Sequence, residues 1–157
     1  TGVPEHILRS AFATAADEVL AELTERLARG EVVCVETVLS TDKYKPIVEQ
    51  VRPVGFVGLI YVALRSPELA CERVARRVRL GGHDVPKAKI IERWHRSVQN
   101  LPWFASRAHR FWVFDNSDSD ANRPPVLLAD GGSGRAVIHH GDAIPQVAQV
   151  LSELATK

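Results

Sequence analysis

The chain has 157 residues, 45% of them hydrophobic and 25% charged, with a formal net charge of +1. That length suits one domain with a real core, and the composition is that of a soluble globular protein rather than a disordered or fibrous one. No apolar run is long enough to span a bilayer, and TGVPEHILRS lacks the basic-then-apolar layout of a signal peptide, so we expect a cytoplasmic protein with no membrane partner.

Apolar residues at helical spacing (Ile7, Leu8, Phe12, Ala16, Val19, Leu20, Leu23, Leu27) predict a helix over residues 4–29, stopped by Gly30. EVVCVE, residues 31–36, reads as a buried strand. A loop follows, then a short helix over 43–51 with Pro46 near its start. FVGLIYVAL predicts a second strand, apolar on both faces. In SPELACERVARRVRL, Ser66 as N-cap, Pro67 in the first helical position and Glu68 in the first turn start a helix that runs to about Leu80. GG breaks it, and Asp84 and Pro86 start another, continuing to about Asn100. RFWVFDNS is a third strand ending in a polar loop, VLLADGGSGRAVIHH a β-hairpin, and AIPQVAQVLSELA a closing helix. Helices alternating with doubly apolar strands imply a three-layer α/β/α domain over 1–157 with a mostly parallel sheet. Ligands in such folds bind beyond the carboxyl ends of the strands, which singles out residues 36–40, 64–66 and 115–117.

Charge is uneven. Residues 64–110 hold 11 Lys/Arg against 4 Asp/Glu, a balance of +7, which leaves 9 basic and 15 acidic residues, −6, elsewhere. An anionic partner and an ordinary solvated helix face both fit that excess. Arg73 and Arg77 share a face of the helix before GGH; Lys89, Arg93, Arg96 and Asn100 form a stripe on the helix after it. Guanidinium groups suit phosphate because their planar fork binds two oxygens and stays charged. Gly81 and Gly82 would give such a hairpin, about residues 67–101, the freedom to close as a lid. Glu36 ends the predicted first strand, with Thr37 and Ser40 in the same turn. A carboxylate there can meet a substrate hydroxyl or cap local amides. His83 fits a helix cap, and His139 and His140 match no metal spacing. Cys34 and Cys71 read as reduced, buried thiols. The aromatics Trp94, Trp103, Phe104, Phe111, Trp112 and Phe114 fit core packing better than base stacking, and nucleic acid ranks last among partners. GGSGR, without Lys-Ser/Thr, fits a hairpin turn better than a phosphate loop.

Taken in order, ETVLS, SPELACERVARRVRLGGHDVP, IIERWHRSVQNL and VFDNS resemble the zeta-toxin-like P-loop kinases over most of the chain. The resemblance implies a P-loop kinase fold and ATP with Mg²⁺ as phosphoryl donor. It further implies a small-molecule acceptor such as a UDP-amino sugar and an antitoxin protein as partner. By position, Glu36 corresponds to the acidic residue at the acceptor hydroxyl, with Thr37 and Ser40 beside it. Arg77 and Arg93 correspond to the lid arginines, Arg73 and Arg96 are further phosphate candidates, and Asn116 falls near the adenine. The family's opening strand, G-x-x-x-x-G-K-[ST] loop and following aspartate have no counterpart here. As the sequence holds no methionine and starts at Thr1, we expect residues to precede it. Were none to do so, the chain would be a non-catalytic relative that binds a protein or nucleic acid.

Overall fold

Helix α1 (Glu5–Ala28) meets the first prediction, although Pro4 and the side chains through Ala16, among them Ile7, Leu8 and Phe12, lie outside the described residues. The computed structural model describes residues 5–120 and 122–155, and the chain forms two units, Thr1–Glu36 and Thr37–Lys157. In the first unit α1 stops where predicted. Gly30 takes φ 75°, its N–H reaches Leu27 O at 2.9 Å, and the Glu31 N–H reaches Arg26 O at 3.1 Å. These two bonds close the helix end. Arg26 and Arg29 then grip the Glu31 carboxylate at 2.8 and 2.7 Å. The hydrogen bond from Arg26, followed by that from Arg29, holds this carboxyl below its ordinary range.

The predicted strand at 31–36 does not form; the segment has no regular secondary structure. Val32 is 97% exposed, and Val35 and Cys34 are exposed too. β-branched residues favour a strand only where a neighbour supplies a ladder and a surface to pack on. This segment has neither, and Cys34 is therefore not the buried thiol expected. Cys71 is half-buried, and both thiols are free.

The second unit holds α2 (Lys45–Val51), β1 (Gly58–Ala63), α3 (Pro67–Arg79), α4 (Lys87–Arg107), β2 (Arg110–Asp115), β3 (Val126–Gly132), β4 (Arg135–Ile138) and α5 (Pro145–Ala155). The described residues thus make a mixed α/β fold of five helices and one four-stranded sheet, ordered β1-β2-β3-β4. β1 and β2 are parallel, in register from Gly58↔Arg110 to Ala63↔Asp115. The other two pairs are antiparallel, so the sheet is mixed rather than mostly parallel. The cause is the C-terminal hairpin, which returns the chain beside β2. Its turn was legible: Ser133 and Gly134 take φ 51° and 80°, the pair of positive values that a two-residue hairpin loop requires.

The core lies between the sheet and helices α4 and α5, centred on Leu101, Phe111, Val113, Ile144 and Leu151. β1 alternates instead of burying both faces. Leu59, Tyr61 and Ala63 point to the core, whereas Ile60 and Val62 are 68% and 54% exposed. Tyr61 shares a hydrogen bond with Ser97 on α4, and burial pushes its phenol up in pKa against that bond. Helix α4 outruns its predicted end and carries Pro102 inside it. An interior proline costs about 3 kcal/mol. Burial of Leu101 and Phe104, at about 1.5–3 kcal/mol each, offsets that. The aromatics pack as expected: Phe104 and Phe111 are buried, and Trp103 sits between Lys45 and the guanidinium of Arg107, joining α2 to α4.

Candidate functional site

Two of the three predicted strand-end segments meet. Parallel β1 and β2 deliver Arg65 and Ser117 side by side beyond their carboxyl ends, and the Arg65 N–H donates to Ser117 Oγ at 2.8 Å. Ser117 is buried at 4% exposure, and its hydroxyl donates to the Asp115 carboxylate, which also accepts the Ser117 N–H at 2.8 Å. The Asn116 N–H reaches back to Ala63 O at 3.0 Å, and Trp94 Nε1 on α4 donates to Leu64 O at 3.0 Å. These bonds fix the floor of a cleft of about 350 Å³, lined among others by Arg65, Asp115, Asn116, Asp118 and Arg123. Its rim is a run of short side-chain turns. Asp118 accepts the Asp120 N–H and Asp120 accepts the Asn122 N–H, both at 2.9 Å. The Asp120 amide, with Arg123 adding at 3.1 Å, holds the Asp118 carboxyl below its ordinary range.

Ser117 is the keystone of this floor. We expect Ser117→Ala to cost about 1–3 kcal/mol in a urea titration, because the buried hydroxyl serves both the Arg65 N–H and the Asp115 carboxylate. A change under 0.5 kcal/mol would mean that the amide finds another partner.

The arginines of the α3–α4 hairpin divide by what holds them. Arg73 is half-buried, and its guanidinium donates to the backbone carbonyls of Asn116 and, at 3.0 Å, Asp118. It therefore acts as a strut between α3 and the cleft rim, and the fold does bring Arg73 and Asn116 together. Arg96 is exposed and paired with Glu92 at 3.3 Å. Arg77 is exposed and, among the described residues, its guanidinium reaches only the carbonyl of His83, at 3.4 Å. Arg93 is half-buried on α4 and makes no hydrogen bond or ion pair among the described residues. Among those residues Arg76 and Arg79 likewise meet no carboxylate. Among the described residues, the ion pairs of the +7 segment are those of Arg96, Arg107 and Arg110, and most of its other cations face solvent.

The segment at 37–40 is a shaped loop. Thr37 Oγ1 accepts the Leu39 N–H at 3.2 Å, and Asn100 Nδ2 on α4 donates to Leu39 O at 2.9 Å. Leu39 is buried with φ 59°, a left-handed conformation that branched side chains avoid. Ser40 is buried beside it at 8% exposure, whereas Thr37 is exposed. Glu36 is the last residue of the first unit and is exposed.

His139 Nε2 pairs with Asp130 Oδ1 at 2.7 Å. Among the described residues no three His, Cys, Asp or Glu side chains gather as a metal site. Mg²⁺ usually takes only one or two carboxylates together with substrate phosphates, and the carboxylate-bearing Asp115 and Asp118 line the cleft. The spacing rules did not single out Arg65 and Ser117 individually. The carboxyl-end rule flagged their segments; their mutual bond depends on the parallel register. Comparison with protein-family models, with curated proteins and with solved structures returns no match.

Proposed function

We propose that this chain carries the lid and the nucleotide-facing cleft of an ATP-dependent phosphotransferase of the zeta-toxin type, acting in the cytoplasm on a small-molecule hydroxyl. The observation that carries it is a helical hairpin, placed between two parallel strands, whose arginines, Arg96 apart, make no ion pair among the described residues. Phosphoryl transfer depends on positioning and charge neutralisation, and guanidinium groups closing over the phosphates supply both. Arg77 and Arg93 would brace the transferring group, with Arg96 behind them. The cleft beside Asn116 would take the nucleoside end of ATP, held in shape by Arg73. Thr37 and Ser40 would contribute polar contacts to the acceptor, and the acidic role at its hydroxyl that the resemblance implies stays with Glu36 of the first unit. The full P-loop kinase architecture, with its third layer and phosphate loop, belongs to this proposal, as do a UDP-amino sugar acceptor and an antitoxin partner.

The test uses the protein as its host makes it, incubated with γ-labelled ATP, magnesium and UDP-N-acetylglucosamine or related sugar nucleotides. Label appearing on an acceptor is the expected result. Absence of both ATP binding and transfer to any acceptor would sink the proposal. A non-catalytic protein-binding role would then gain ground, since Ile60 and Val62 leave an apolar strip on β1 open to a partner.

A further inference from the structure

The glycine pair that suggests a flexible hinge in the sequence is bonded as a helix stop. The Gly81 N–H donates to Val78 O at 2.9 Å and the Gly82 N–H to Arg77 O at 3.0 Å, closing α3 with the same two bonds that close α1. The Arg77 carbonyl also accepts the Leu80 N–H at 3.0 Å, so two amides converge on this one residue.

The two glycines do different work. Gly81 has φ 91° and open space where a Cβ would sit, so only its backbone conformation demands glycine. Gly82 has no such conformation. A Cβ there would lie 2.7 Å from Arg77 Cγ, 3.0 Å from Arg77 O and 3.3 Å from Arg77 Cδ. Cγ is the first side-chain atom beyond Cβ and cannot move without a change of χ1. Side chains sit in discrete staggered wells, so clearing the clash swings the whole guanidinium to another direction. In the present rotamer it points along the turn to the carbonyl of His83.

We propose that Gly82 is a positioning residue for Arg77: its missing side chain leaves the slot in which the arginine's stem lies, and the helix stop fixes that slot. The proposal rests on the phosphotransferase reading for its consequence in catalysis, but not for its geometry. RLGGH is then a presentation device for one guanidinium.

The experiment is a double-mutant cycle in the full-length protein, with Gly82→Ala, Arg77→Ala and the pair, each measured for kcat, KM for ATP and urea midpoint. A displaced catalytic group costs about 10²-fold in rate. Gly82→Ala should therefore lower kcat by about that factor, with KM changing far less, and should add nothing in the Arg77→Ala background. Its shift of the urea midpoint should also shrink there, because Cγ is gone. A wild-type kcat in Gly82→Ala, or a loss undiminished in the Arg77→Ala background, overturns the proposal. If the wild type transfers no phosphoryl group, the phosphotransferase reading fails and the urea midpoints decide alone. Coupling between positions 77 and 82 then supports the slot, and additivity refutes it.

Discussion

On the phosphotransferase reading, Arg93→Ala lowers turnover by a factor of about 10³–10⁵ and leaves the fold intact. The magnitude is that of a guanidinium that meets charge developing on a phosphoryl group and cannot be replaced by water in a closed site. The intact fold follows from the structure. Arg93 has no hydrogen bond or ion pair among the described residues, so its removal orphans no partner there. Arg107 makes a useful contrast, since it holds Glu49 and covers Trp103. Truncating that residue should destabilise without a matching loss of turnover in the folded fraction. Steady-state phosphotransfer and urea unfolding of the Arg93→Ala protein, measured side by side, separate the two roles. A turnover loss that merely tracks unfolding would make Arg93 a structural residue and remove the lid's main cation.

The largest stability effect is expected at Gly132. A Cβ there would lie 2.0 Å from His109 O, 2.8 Å from its carbonyl carbon and 3.2 Å from Arg110 Cα. All three are backbone atoms, so no rotamer can clear them. The hairpin would have to lift off the α4–β2 junction, where the Ser133 N–H meets Ala108 O at 2.9 Å and His109 pairs with Val57 through both its backbone N–H and its ring Nδ1. That junction also sets the start of the parallel β1–β2 pair. We expect Gly132→Ala to cost about 3 kcal/mol or more by urea titration. Gly141→Ala, whose added Cβ meets only side chains at 3.4 Å, is the control and should stay within about 1 kcal/mol of wild type. Equal behaviour of the two variants would mean that the hairpin can shift without loss.

What could be read in advance depended on whether a signal was local. The ends of α3 were legible because Ser66, Pro67 and Gly81 each act on their own helix; the Ser66 hydroxyl does accept the Leu69 N–H. The hairpin was legible for the same reason. The fate of EVVCVE was not, since a strand needs a neighbour and its sequence cannot name one. Nor was the end of α4, where burial of Leu101 and Phe104 outweighs a proline. In the site, the carboxyl-end rule found residues 64–66 and 115–117 because strand direction alone decides where loops emerge. The strut made by Arg73 left no trace in sequence: its acceptors are backbone carbonyls, which every residue has. The glycines at 131 and 132 were read as turn residues, yet they lie in β3 and are needed for close approach of neighbouring atoms, a property of the partner segment as much as of the glycine.

The chain of aspartate turns along the cleft rim gives this loop a form of independence. Asp115, Asp118 and Asp120 each brace the amide two residues ahead, so the rim is shaped largely from within. Among the described residues, Arg73, the Arg65–Ser117 bonds and the Asn116 N–H on Ala63 O tie it to the α3 side of the molecule. Substitutions elsewhere along the loop could therefore remodel what the cleft accepts while the arginine hairpin keeps its form. On the phosphotransferase reading, selectivity and charge neutralisation would be separately evolvable, with Arg73 as the joint between them.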